Sequence, residues 1–162
     1  MTGCPDHLVT TWLARSHSVP AEAKKEWEAR GAALLTMGER LQAIRLSGRL
    51  VHAAVDSDDP DKVKAALEDI VCGPVIRERQ TWVGGLYYAL ISGHAGVTWD
   101  YEREAPIVGH GVYLVVPAIH RCEPPGPYWM IPPRFDGDLC RPASVRRLVE
   151  MGVERTAARE RV

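Results

Sequence analysis

Between Gly73 and Ile131 the apolar residues arrive in short runs bounded by Gly and Pro, too brief for helices, whereas most flanking segments repeat at helical spacing. A chain that gathers its strands in this way, with helices early and late, folds as an α+β domain. Its central sheet is mostly antiparallel and flanked by helices. Gly73-Pro74-Val75-Ile76 predicts a short strand. Trp82 to Ile91 predicts a longer one, in which Gly84-Gly85 marks a bulge or a close backbone approach. Gly109 to Pro117 (GHGVYLVVP) is the clearest strand of the chain. Tyr128 to Ile131 is bracketed by prolines, which confine it to an edge or a short segment.

The helices carry readable punctuation. Leu8, Trp12 and Leu13 recur at helical spacing until Val19-Pro20 interrupts them; Pro20 opens a second helix that Gly31 stops. Residues 1–31 are therefore expected to form an N-terminal helical hairpin packed on the body. Residues 32–152 are read as a single α+β domain and 153–162 as a loose polar tail. Ala32 to Met37 and Leu41 to Leu46 flank Gly38 and predict a strand pair. Ser47 is placed to cap a helix carrying Leu50, Val51, Ala54 and Val55. Asp59-Pro60 opens the next, where Val63, Ala66, Leu67 and Ile70 form one apolar stripe, and Arg141-Pro142 starts a closing helix with Val145, Leu148 and Val149 inward.

Composition removes whole classes of function. The 162 residues carry 20 Lys+Arg against 21 Asp+Glu, a net charge of -1, which argues against a dedicated nucleic-acid binder. No apolar run reaches the roughly 18–20 residues that span a bilayer, so no membrane partner is expected. Asp6, His7 and Arg15 sit where a signal peptide would be apolar, and the expected compartment is the cytoplasm. Cys4, Cys72, Cys122 and Cys140 include no Cys-x-x-Cys pair. Cys4-x-x-His7 and His120-x-Cys122 are isolated half-pairs, so neither a zinc site nor a disulfide framework is expected. The aromatics are skewed to 5 Trp and 5 Tyr against 1 Phe, a bias that suits either a pocket or a small core.

Several strings occur together in order: Cys72-Gly-Pro-Val-Ile, Tyr87-Tyr-Ala-Leu, Trp99, Gly109-His-Gly-Val-Tyr-Leu-Val-Val-Pro and Pro125-Gly-Pro-Tyr-Trp-Met-Ile-Pro-Pro. From Leu35 to Leu148 the chain resembles the short bifunctional primase/polymerase N-terminal-like proteins of high-GC bacteria. The resemblance implies an archaeo-eukaryotic-primase-like α+β core. In active members of that family an acid pair on one strand, a histidine on its neighbour and a third acid hold two divalent metals and a nucleoside triphosphate. This chain departs from that pattern. Asp56-Ser57-Asp58 spells the acid pair, but it follows a helical segment and runs into Asp59-Pro60, as a solvated turn would. The strand expected to bear the acids reads Leu41-Gln42-Ala43-Ile44-Arg45, and the one expected to bear histidine reads Leu86-Tyr87-Tyr88-Ala89-Leu90. Polymerase activity is not implied.

No phosphate-cradling loop, Gly-x-Ser-x-Gly elbow or HExxH motif is present, so no cofactor is expected. What remains is acid–base chemistry in an apolar pocket, where burial moves pKa values toward neutrality. The densest set of such groups makes His94, His110, Glu104 and Tyr88 the candidate catalytic residues. Trp82, Trp99, Tyr113, Arg121 and Trp129 are the candidate substrate contacts, and there are no metal ligands. The leading reading is a small cofactor-independent enzyme that dehydrates or cyclises an apolar metabolite, either alone or as a homodimer. The alternative is a non-catalytic binder of a nucleotide, single-stranded nucleic acid or protein. It would use Arg77, Arg79, Arg121 and Arg134 for phosphates and Trp82 or Trp129 for stacking.

Overall fold

The computed structural model describes residues 5–79, 84–93 and 98–161. The fold is α+β. Helices α1 (Pro5–Ala14) and α2 (Pro20–Arg30) form the expected hairpin. Pro20 opens α2, and Gly31, at φ 75°, ends it by donating its N–H to the Trp27 carbonyl. Strand β1 (Ala32–Thr36) follows, then β2 (Gln42–Ser47), α3 (Gly48–Val55) and α4 (Pro60–Ile70). Ser47 Oγ accepts from Leu50 N at 3.1 Å, and Asp59 Oδ2 from Lys62 N at 3.2 Å, so both anticipated N-caps are made. The chain closes with β3 (Val75–Glu78), β4 (Leu86–Ile91), β5 (Ile107–Val108), β6 (Tyr113–Pro117), β7 (Tyr128–Ile131) and α5 (Pro142–Glu160).

The strands make two antiparallel sheets. One has five strands in the order β5-β2-β4-β3-β7; the other pairs β1 with β6. Strands β1 and β2, expected to pair with each other, belong to different sheets: Leu34 faces Val115, and Ile44 faces Ala89. Alternation identifies strands but does not choose their partners. Strand β7 lies at a sheet edge as its prolines require, β4 begins only at Leu86, and β6 begins at Tyr113 rather than Gly109. The loose tail expected over 153–162 is also corrected, because α5 continues to Glu160. Arg155 Nη1 donates to the Ala54 carbonyl, and Arg159 Nη2 reaches Asp56 Oδ1 at 3.2 Å, so the polar end of α5 is fastened to α3.

Alternate residues of the large sheet feed two cores. Ile44, Val75, Tyr87, Ala89 and Met130 face α3, α4 and α5. Ala43, Ile76, Leu90 and Trp129 face the small sheet and the hairpin. The hairpin is tied down by side chains. Leu34 N donates to Glu26 Oε1 at 3.0 Å, and Trp27 Nε1 to the Val116 carbonyl at 2.9 Å. Val19 N donates to His17 Nδ1, which leaves His17 Nε2 to donate to Glu26 Oε2 at 2.8 Å.

Candidate functional site

A row of polar side chains crosses the helix-covered face of the large sheet. In register, Arg77 on β3 lies between Tyr87 on β4 and Tyr128 on β7, all three buried. The Arg77 guanidinium stands 4.2 Å from the Tyr87 ring centroid, and its Nη1 donates to the Gly84 carbonyl at 2.6 Å. Among the described residues no carboxylate forms a salt bridge with it. Above the row sits His52 on α3. Its ring meets Tyr87 edge-on, with Nε2 and Oη 2.9 Å apart.

Sequence folds these groups together through strand alternation and one close approach. Alternation along β3 and β4 puts Arg77 and Tyr87 on one face. Gly48, at the start of α3, donates its N–H to the Gly85 carbonyl at 2.8 Å, which brings α3 onto the end of the β3–β4 hairpin. Gly84 and Gly85 hold φ of 82° and 70°, a backbone that side chains resist, so the expected close approach is found here. Residues 80–83, which follow β3 in the sequence, lie outside the described residues.

The electrostatics favour neutral forms. Burial lowers the His52 pKa from its ordinary 6.5, and the Arg77 charge adds to this while Asp58 opposes it. Burial likewise pushes the Tyr87 phenol up to about 12. At neutral pH His52 is therefore an uncharged imidazole against an un-ionised phenol. Nothing among the described residues hydrogen-bonds its Nδ1. In the tautomer whose Nε2–H donates to Tyr87, the Nδ1 lone pair is free to take a proton; in the other, the phenol donates to Nε2 and Nδ1 carries the hydrogen.

The depressed pKa fixes the sign of a pH effect. The unfolded chain binds a proton at His52 near the ordinary value, while the native state binds one only at lower pH. The contribution of His52 is thus fully present above about pH 6.5 and is lost as pH falls through the native value. Denaturant unfolding between about pH 7 and about pH 5 is expected to show stability falling, with a shallower fall in His52→Gln. Equal slopes would contradict the assignment.

The sequence-predicted residues are distributed differently. His94 and Trp82 lie outside the described residues. Tyr88 points to the opposite face from Tyr87, half-buried against the hairpin-side core, and burial raises its phenol pKa. Glu104 is exposed on a shallow cavity of about 340 Å³ shared with Arg49 and Thr156. His110 is exposed in another groove with Arg15, His17 and Arg40. Tyr88, Glu104 and His110 thus form no common constellation.

Among the expected substrate contacts, Trp129 is a core residue, 1% exposed, with Nε1 donating to the Pro117 carbonyl at 3.0 Å. Trp99 packs on the helix-side core and donates to the Ala105 carbonyl at 2.8 Å. Tyr113 is 62% exposed on β6, and Arg121 Nη1 donates to the Pro125 carbonyl at 3.0 Å. Of the arginines assigned to phosphates in the alternative reading, Arg77 is buried and Arg134 is paired with Asp138. Asp56 caps α3 in a left-handed conformation and Asp58 is exposed, so the acid pair lies in a turn. His7 and His120 both line one cavity of about 430 Å³ against the hairpin. Among the described residues no group of three His, Cys, Asp or Glu comes together to hold a metal.

His52 escaped the sequence reading because a histidine on an amphipathic helix has the pattern of a solvated residue. Its partner Tyr87 stands 35 residues away. No described helix is long and apolar enough to cross a membrane. Comparison of the chain with protein-family models, with curated proteins and with solved structures gives no match.

Proposed function

We propose that this chain is a small cofactor-independent acid–base catalyst of the dehydration or cyclisation type, acting on a β-hydroxy carbonyl metabolite with an apolar body. The observation that carries the reading is the 2.9 Å contact between His52 Nε2 and Tyr87 Oη, which orients an uncharged imidazole beside the Arg77 charge. His52 Nδ1 takes the α-proton. As the carbon–carbon double bond forms, the bond to the β-oxygen breaks, and the imidazolium returns its proton to that oxygen, releasing water. Tyr87 is a positioning residue that holds the imidazole ring in place. Arg77 favours the enolate-like charge that develops on the carbonyl. A cyclisation would follow if an internal nucleophile were held against the conjugated product.

In this reading the primase-like resemblance concerns the origin of the scaffold. The compartment is the cytoplasm, and neither nucleic acid nor a second copy of the chain takes part in the chemistry. The test is hydrogen exchange in D₂O with a panel of β-hydroxy ketones, acids and thioesters, followed by NMR. The native protein is expected to exchange the α-proton of at least one member, and His52→Gln to slow that exchange by roughly 100-fold or more. Tyr87→Phe is expected to have a smaller effect. Exchange at an unchanged rate in His52→Gln, or none across the panel, would remove the proposal.

A further inference from the structure

At the other end of β3 from His52, the last residues of α4, the 134–139 segment and the first turn of α5 enclose a cavity of about 490 Å³. Three arginines are among the residues that line it: Arg134, Arg141 and Arg147. Arg134 is held rigidly. Its backbone N–H and Nε donate to Asp138 Oδ2 at 2.9 and 3.0 Å, and Nη2 donates to Oδ1 at 3.2 Å. Asp138 itself is buried, at 3% exposed. Nη2 also reaches the Cys72 carbonyl at 3.4 Å, which the left-handed backbone of Cys72, φ 53°, turns toward it. Arg141 and Arg147 have no ion pair or side-chain hydrogen bond among the described residues. With Asp138 matched to Arg134, the remaining acid in the lining, Asp69, leaves the cavity with an excess of positive charge.

We propose that this cavity binds the phosphoryl group of a small organic phosphoester. A planar carboxylate is satisfied by one bidentate guanidinium, as Asp138 is by Arg134, whereas a tetrahedral dianion offers oxygens in several directions and can use Arg141 and Arg147 together with the Nη1 that Arg134 leaves free. Ser144 adds a hydroxyl to the same lining. Phe135, the chain's one phenylalanine, is 50% exposed at the cavity and provides a flat apolar surface for the organic part. The site is independent of the proposed chemistry at His52.

The probe is phenyl phosphate, titrated by calorimetry at fixed ionic strength, since screening weakens every exposed charge contact. Saturable binding with Kd of about 1 mM or tighter is expected. The double variant Arg141→Ala/Arg147→Ala removes two exposed side chains, so folding should survive, as an unchanged Tm would verify. It is expected to weaken binding by about tenfold or more, while His52→Gln binds as the native protein does. No saturable binding, a loss of less than about tenfold in the double variant, or a comparable loss in His52→Gln would each overturn the site.

Discussion

Gly48→Ala is expected to lower the unfolding free energy by about 3 kcal/mol or more. A Cβ at Gly48 would enter the van der Waals shell of the Gly84 carbonyl oxygen, with the Gly84 carbon also too close. Backbone cannot rotate away as a side chain does. Gly84 and Gly85 are themselves held in left-handed conformations, so the hairpin end has little freedom to retreat. Relief requires α3 to lift off, which breaks the bond from Gly48 N to the Gly85 carbonyl and separates His52 from Tyr87. Urea unfolding followed by tryptophan fluorescence measures the effect. Gly109→Ala is the control, since its Cβ would meet only an Ile107 methyl at 3.7 Å, and it should change stability by about 0.5 kcal/mol or less. A Gly48→Ala effect near the control value would show that α3 and the hairpin are not in close contact.

Trp129→Ala is expected to destabilise by about 4 kcal/mol, in the range for truncating a buried large aromatic. The indole fills the hairpin-side core and binds the Pro117 carbonyl, so it joins the edge of the large sheet to the end of β6. Its loss leaves both a cavity and an unsatisfied carbonyl. Thermal and urea unfolding would measure this. A residue serving mainly as a ligand platform would instead be removed with little effect on stability, and such a result would return Trp129 to the binding role its sequence context first suggested.

Local rules carried much of the fold. Pro20 and Gly31 bound α2, Ser47 and Asp59 cap α3 and α4, and prolines set β7 at an edge; each involves residues within a few positions of one another. Pairings across long separations were not legible. The alternating pattern of 32–36 is equally satisfied by β2 or β6, and the choice of β6 depends on which faces both sheets bury. The end of α5 misled for a related reason. Glu154 to Glu160 is polar enough to read as a tail, and its helix is secured by Ala54 and Asp56, about 100 residues earlier in the chain.

The candidate site was less legible still. Aromatic and histidine density drew attention to residues 87–129, and Tyr87 lies at the margin of that stretch. Density along the chain is not proximity in space: β4 sends Tyr87 and Tyr88 to opposite faces, and among the described residues only the first meets a histidine. The sequence offers Arg77 as a phosphate contact, yet its burial against an aromatic ring makes it a source of fixed positive charge within the fold.

Strand β2 contributes Ala43 to one core and Ile44 to the other, and β3, β4 and β7 divide their side chains in the same way. Neither layer can dissolve while the other keeps its wall, because the wall is the same backbone. The molecule is therefore expected to melt in one cooperative step, with damage on the hairpin side weakening the His52 side as well.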